Sequence, residues 1–194
     1  DYQPEKDTLS LTLMRGYFYQ KLCIEMKIFR DTIFIINMLS ELKNVMSLES
    51  FVGPEKNILD ETSGHSHKLR VKNPILTNEE LEKIRHLNRL YFRTVTLPIL
   101  FHPEEDGSGL ERALDQLFDQ VDQIIANDEA NIIILSDRGI DREHAPIPAL
   151  LAGAGLHHHL IRKGTRTHIG LVVESGEPRE VHHFALLFGY GADC

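Results

Sequence analysis

Eleven of the 194 residues are histidine, and seven of them fall between His144 and His183. Neutral imidazole ligates zinc, copper and nickel, so metal binding is the first chemistry to test. A helix offers ligands to one ion from positions i and i+3 or i+4. His157, His158 and His159 are consecutive instead. Consecutive helical side chains point about 100° apart, so three in a row cannot converge on one ion. Near a helix end they interact favourably with the last carbonyls and the dipole. His182 and His183 are again adjacent. A metal could be held only across helices, by one histidine from each cluster.

Nucleophile and phosphate motifs are weaker still. Ser175 lies in Glu-Ser-Gly, which is not the Gly-x-Ser-x-Gly elbow. Neither Cys23 nor Cys194 has a histidine close by in sequence. Gly153/Gly155 and Gly189/Gly191 are Gly-x-Gly pairs that do not extend to a dinucleotide fingerprint, and no Gly-x-x-x-x-Gly-Lys loop occurs. The remaining candidates cluster after predicted strands, as Ser136-Asp137-Arg138-Gly139 and Glu174-Ser175-Gly176-Glu177. A third such end, His102 to Gly109, is acidic through Glu104, Glu105 and Asp106. Parallel α/β proteins place their chemistry at strand C-terminal ends. An Asp-Arg pair and a Glu at neighbouring ends can hold a substrate or orient a partner loop. The plainer role is loop closure, with Asp137 capping amides and Arg138 pairing with a carboxylate. Ser136, Asp137, Arg138, Glu174, Ser175, Glu177, His182 and His183 are thus candidates for domain-interface or ligand contact. No residue is assigned a catalytic, cofactor-binding or metal role.

The elements that must position these residues are readable from residue 93 onward. Residues 94–100 are β-branched and apolar, a strand. Ser108-Gly109-Leu110-Glu111 reads as a capping box, and Leu110, Ala113, Leu114, Leu117, Phe118, Val121, Ile124 and Ile125 give one apolar helical stripe. Residues 131–135 and 169–173 are continuous apolar runs, as in strands buried on both faces. Residues 146–162 form a helix with proline in its first turn and Gly164 past its end, and residues 178–188 form another, stopped by Gly189 and Gly191. This βαβαβα alternation predicts an α/β fold with a parallel sheet and right-handed crossovers. The series breaks off where a further strand is due, near Ala192, which is the pattern of a piece of something larger.

The first half is less regular. Residues 1–45 are expected to be a helical N-terminal segment, and the stretch to Asn73 ordered coil or short strand. Thr77-Asn78-Glu79-Glu80 is a capping box, followed by Leu81, Ile84 and Leu87 at helical spacing.

Composition bounds the answer. Hydrophobic residues are 42% and charged residues 26%, which supports a packed core and excludes bulk disorder. The 29 acidic and 21 basic residues give a net charge of −8, which disfavours nucleic acid as a partner. No apolar run reaches the length of a membrane span, and no signal peptide is visible. Two widely separated cysteines fit no disulfide framework, and a cytoplasmic protein is expected.

Several strings resemble one family. Met46-Ser47-Leu48-Glu49-Ser50-Phe51-Val52-Gly53-Pro54, then Asn57-Ile58-Leu59-Asp60 and Asn73-Pro74-Ile75-Leu76-Thr77-Asn78-Glu79-Glu80, are similar to the central domain of the large chain of glutamate synthase. So are Ile134-Leu135-Ser136-Asp137-Arg138-Gly139, Gly164-Thr165-Arg166-Thr167, the run from Gly170 to His183, and Gly189-Tyr190-Gly191-Ala192-Asp193. The resemblance covers residues 46–194. It implies a degenerate (β/α)8 barrel of the FMN type, here partial, which connects an amidotransferase domain to a flavin domain and helps wall the ammonia tunnel. The enzyme makes glutamate from glutamine and 2-oxoglutarate. Its cysteine nucleophile, FMN site and iron–sulfur cysteines belong to other segments, so no catalytic residue carries over. One departure stands out: the family has an Asn-Pro-Pro-Ile-Asp-Pro-like string before Met46, whereas residues 21–45 are proline-free. The competing reading is a free-standing α/β protein that binds a metal or small ligand through its histidines.

The expected partners are the amidotransferase and FMN domains of the same parent chain. Self-association of the isolated chain through surface those domains would cover is also expected. The isolated chain should bind no FMN; a yellow preparation with a flavin absorption spectrum would overturn that expectation.

Overall fold

A computed structural model describes residues 49–56, 59, 67–89, 91–103 and 108–194. The expected helical segment at 1–45 lies outside the described residues, as do Glu104, Glu105 and Asp106. Along the chain the elements are β1 (Ser50–Val52), β2 (Leu69–Val71), α1 (Asn78–Arg85), β3 (Asn88–Arg89), β4 (Phe92–Pro98), β5 (Leu100–Phe101), α2 (Ser108–Ala126), β6 (Ile132–Ser136), β7 (Ala145–Pro146), α3 (Ala149–Lys163), β8 (Gly170–Glu174) and α4 (Val181–Gly189).

The expected parallel sheet is present. β4 pairs with β6, and β6 with β8, both in parallel, while β3 adds to β4 as an antiparallel neighbour. The parallel strands lie side by side in chain order. A strand's side chains alternate between faces, and the two faces bury different partners. Ile133, Leu135 and Leu171 share a core with Leu117, Val121 and Ile124 of α2 and Ala152, Leu156 and Leu160 of α3. Both crossover helices therefore cover the same face, and α2 packs on α3 and α3 on α4. Ile132, Ile134 and Val172 face the other way, onto Val52 and Val71 of the β1–β2 pair and Leu81 and Ile84 of α1. All five residues of β6 are buried, because β4 and β8 flank it in full parallel register and a layer covers each face.

The local signals explain most boundaries. The Thr77 hydroxyl accepts from the Glu80 N–H (3.3 Å), and the Glu80 carboxylate accepts from the Thr77 N–H (2.9 Å), so the predicted capping box starts α1. The second predicted box does not form as read. Ser108 is itself the first helical residue of α2, and its hydroxyl accepts from Arg112. The strand predicted at 94–100 splits into β4 and β5. At Ile99 the N–H still donates to the Ser136 carbonyl of β6, while its own carbonyl accepts from Ile147, so the chain changes partner there. β5 then turns aside to pair antiparallel with β7. That pairing takes Ala145 and Pro146, so the helix predicted from 146 starts at Ala149 after Pro148. Gly164 ends α3 in the left-handed conformation (φ 73°), as its position implied. The helix predicted from 178 starts at Val181, after the extended Glu180. The residues from Ala192 on do run beside β8: the Asp193 N–H donates to Leu171, and the Val173 N–H donates to Cys194.

β8 opens on a glycine because β1 crosses it at close range. A Cβ at Gly170 would lie 2.6 Å from Val52 Cγ1 and 2.7 Å from the Gly53 amide nitrogen. The Gly53 backbone is fixed in turn by a positive φ of 131°. Gly170→Ala is expected to cost about 1–3 kcal/mol in urea unfolding by overpacking. Gly176→Ala, where a Cβ meets nothing within 4 Å, should unfold at the wild-type midpoint.

Candidate functional site

Ser136 and Glu174 end β6 and β8 and are register partners. Their even numbers place both on the same face as Ile132, Ile134 and Val172, towards α1. Ser136, Asp137 and Glu174 are the buried polar residues of the described chain, at 4%, 9% and 8% exposure. The Glu174 carboxylate accepts from the Ser136 hydroxyl at 2.5 Å, from Arg85 Nη2 at 2.7 Å, and from Arg138 Nε. Arg85 ends α1, where the negative end of the helix dipole favours a cation. Its other guanidinium nitrogens donate to Thr96 of β4 (2.7 Å) and Glu82 (3.0 Å). One carboxylate thus ties together α1, β6, β8 and the loop after β6.

Burial is the largest influence on the Glu174 carboxyl and opposes ionisation. The hydrogen bonds from Ser136, Arg138 and Arg85 outweigh it, and its pKa lies below the ordinary 4.5. The group is therefore an ionised and fully engaged acceptor. A general base near neutrality would need the opposite shift.

Asp137 organises the second loop. Its Oδ2 accepts from the Ser175 hydroxyl (2.6 Å) and the Gly176 N–H (2.9 Å). The Ser175 hydroxyl also accepts from the Glu177 N–H at 3.1 Å. Glu177 then reaches the start of α3, where its carboxylate accepts from the Ala149 N–H at 2.9 Å. Pro148, the residue preceding α3, has no side-chain hydrogen bond to offer, so a carboxylate from another loop caps the helix. A groove of about 220 Å³ opens beside this cap, lined by Leu150, Pro178, Leu186 and Leu187 with Glu177 and His183.

Six of the candidates thus form two side-chain sets, Ser136, Arg138 and Glu174 in one and Asp137, Ser175 and Glu177 in the other, joined where the Asp137 N–H donates to the Glu174 carbonyl at 3.1 Å. His183 borders the second set through the groove, and its Nδ1 accepts from the Arg179 N–H (3.1 Å) at the start of α4. His182 makes no link to the network; its ring centroid stands 6.5 Å from that of His183. Arg85 and Thr96 complete the network without any sequence signal. They lie 89 and 78 residues from Glu174, and only the α1–β4–β8 packing brings them there.

The arrangement is a clasp between loops, and the sequence of the whole chain says whose. A family model described as "Glutamate synthase central domain" matches residues 39–194. The chain belongs to this family. It is 39% identical over 150 residues to "Glutamate synthase [NADPH] large chain" of Bacillus subtilis, and 35% identical over 152 residues to "Glutamate synthase [NADH]" of Schizosaccharomyces pombe. "Ferredoxin-dependent glutamate synthase, chloroplastic" of Spinacia oleracea is 34% identical over 153 residues. Each alignment takes in 77% of this chain, which spans 10%, 7% and 9% of those relatives respectively.

Among the described residues, several histidines of this glutamate synthase central domain have structural partners. His157, His158 and His159 lie within α3 (Ala149–Lys163), so their partners are side chains and not the last carbonyls. His157 Nδ1 accepts from Arg166 Nε at 2.9 Å; burial, then the nearby Arg166 charge, hold its pKa below 6.5. Arg166 also donates to the carbonyls of Ile169 and Gly191, both at 2.8 Å, and so ties α3 to the residues after α4. His159 turns instead to Asp122 of α2 (2.8 Å), which Lys163 also contacts (2.5 Å), and stacks on Phe118 at 4.8 Å. The Cys194 thiol is free and buried, and burial pushes its pKa up to about 12, which keeps it protonated. Among the described residues, no three His, Cys, Asp or Glu side chains gather as a metal set, and no helix is long and apolar enough to cross a membrane.

Glu174→Gln removes the charge that Arg85 and Arg138 share, and should cost about 2–3 kcal/mol at pH 7. Because the folded pKa is depressed, the stabilisation is complete above about pH 4.5 and is lost as pH falls through the folded value. Chemical denaturation across pH 3–7 should therefore show a shallower acid limb in the variant than in the wild type.

Proposed function

We propose that this chain is the connecting domain of a glutamate synthase, set between the amidotransferase and FMN domains of one parent chain and helping to wall the path of ammonia between them. The match over residues 39–194 carries this reading. The strand ends support it: the carboxylates of Asp137, Glu174 and Glu177 all serve other parts of the same chain. The domain takes no catalytic step in isolation and holds no FMN. Those roles, with the iron–sulfur cluster, fall to the flanking domains.

The sheet is read as a sector of a degenerate (β/α) barrel. Chain-order strands with both crossover helices on one face suit a closed barrel, whereas a doubly wound sheet reverses its order. In this reading β1, β2 and α1 fill the side that faces a barrel interior. Leu151 and Ile161 of α3 are 42% and 50% exposed, and Tyr190 after α4 is 46% exposed; these supply apolar contact for neighbouring domains. Arg138 is 62% exposed at its side chain and spends only Nε on Glu174, so its outer nitrogens face a partner. The relatives are named for NADPH, NADH and ferredoxin, and the same domain accompanies all three. A reducing compartment such as the cytoplasm suits the free Cys194 thiol.

The free-standing metal-binding reading loses its main support, because His157, His159 and His183 are committed to Arg166, Asp122 and the start of α4.

The test is a graft of residues 46–194 in place of the matching segment of the B. subtilis large chain. The purified chimera should form glutamate from glutamine and 2-oxoglutarate and release little ammonia. Arg138→Ala in that chimera should raise the ammonia released per glutamine hydrolysed several-fold. A folded chimera that hydrolyses glutamine but loses all its ammonia to solution would overturn the connecting role.

A further inference from the structure

We propose that His102 and His144 form a two-imidazole site for a divalent transition ion of the copper, nickel or zinc class. The β5–β7 ladder pairs Leu100 with Pro146 and Phe101 with Ala145, so His102 and His144 are the next pair in register. Residues directly opposite in an antiparallel pair send their side chains to the same face. The two ring centroids lie 4.2 Å apart with planes at 48°. Two imidazoles bound cis to one ion at the usual metal–nitrogen distance hold their centroids about 4–5 Å apart.

The outer partners fix which nitrogens are available. His102 Nδ1 lies 2.9 Å from the Glu143 carbonyl, and His144 Nδ1 lies 2.8 Å from Asp141 Oδ1. A carbonyl and an ionised carboxylate can only accept, so Nδ1 carries the proton in both rings. Each ring therefore presents the lone pair of Nε2, and neither Nε2 is spent on a described residue. Metal-bound histidines show this pattern: the far nitrogen donates to a carboxylate or a backbone carbonyl, which sets the tautomer and the ring orientation.

The other histidines of the domain are arranged differently. His157 and His183 spend Nδ1 as an acceptor, and His159 spends Nε2 on Asp122. His102 is exposed and His144 is 36% exposed at its side chain, so an ion can enter from solvent. With two protein nitrogens, water supplies the remaining positions. Imidazole with oxygen ligands suits copper, nickel and zinc.

The test uses the full chain, freed of metal by a chelating resin and titrated calorimetrically with Zn²⁺, with Cu²⁺ spectra by electron paramagnetic resonance. A chelate predicts that His102→Ala and His144→Ala each weaken the tightest Zn²⁺ event at least tenfold, and that the double variant weakens it further. Cu²⁺ hyperfine structure should show two equatorial nitrogens, falling to one in each single variant. Asp141→Asn, whose amide oxygen still accepts from the loop N–H groups, should weaken binding about 10–100-fold. His158→Ala should leave it unchanged. His144→Asn, with thermal melts of all variants, separates loss of the ligand from loss of the fold. A tightest event that survives in both single variants, or that follows His158→Ala, overturns the site.

Discussion

A buried carboxylate cannot be left without partners, and that constraint at Glu174 organises this domain. The group is 8% exposed at the end of β8, where desolvation alone would force it to neutralise. Arg85 from one layer, Arg138 from a loop and Ser136 from the neighbouring strand keep it charged. The arrangement is possible only in one register. A slip of β8 by a single residue would turn Glu174 towards the apolar helices and Val173 towards the arginines. The network thus acts as a check on strand pairing as well as an attachment for α1.

Much of the architecture was legible. The continuous apolar runs of β6 and β8, the stripe of α2 and the glycine after α3 are local signals, and each produced the element it implied. The departures came where pairing over distance overrode local pattern. Residues 94–100 read as one strand, but Leu100 is taken by a ladder with Pro146, 46 positions away. The same ladder removed the first turn of the predicted helix at 146. β1 and β2 are three residues each, too short for a period to show.

The candidate residues followed the same division. Strand ends can be located from strand patterns, so Ser136, Asp137, Arg138, Glu174, Ser175 and Glu177 could be named. Their partner Arg85 could not, because nothing near a helix C-terminus announces a carboxylate 89 residues later. The histidines show the reverse. Their density was the most conspicuous compositional feature, yet α3 turns His157 towards Arg166 and His159 towards Asp122. His102 and His144, separated by 42 residues, are brought together by the short β5–β7 pairing.

The chain-order arrangement of β4, β6 and β8 has a consequence for how the domain is made. A nascent chain emerges N-terminus first, and each of these strands finds its sheet neighbour already synthesised. The layer formed by β1, β2 and α1 also precedes the strand faces that it covers. Sheet growth is therefore stepwise and relies on nearby partners, which favours rapid assembly over long searches. One exception is the Arg85–Glu174 pair, whose members are 89 residues apart and which must wait for β8. Until β8 is made the two arginines have no anion to share, so α1 is tied to β8 only at that step.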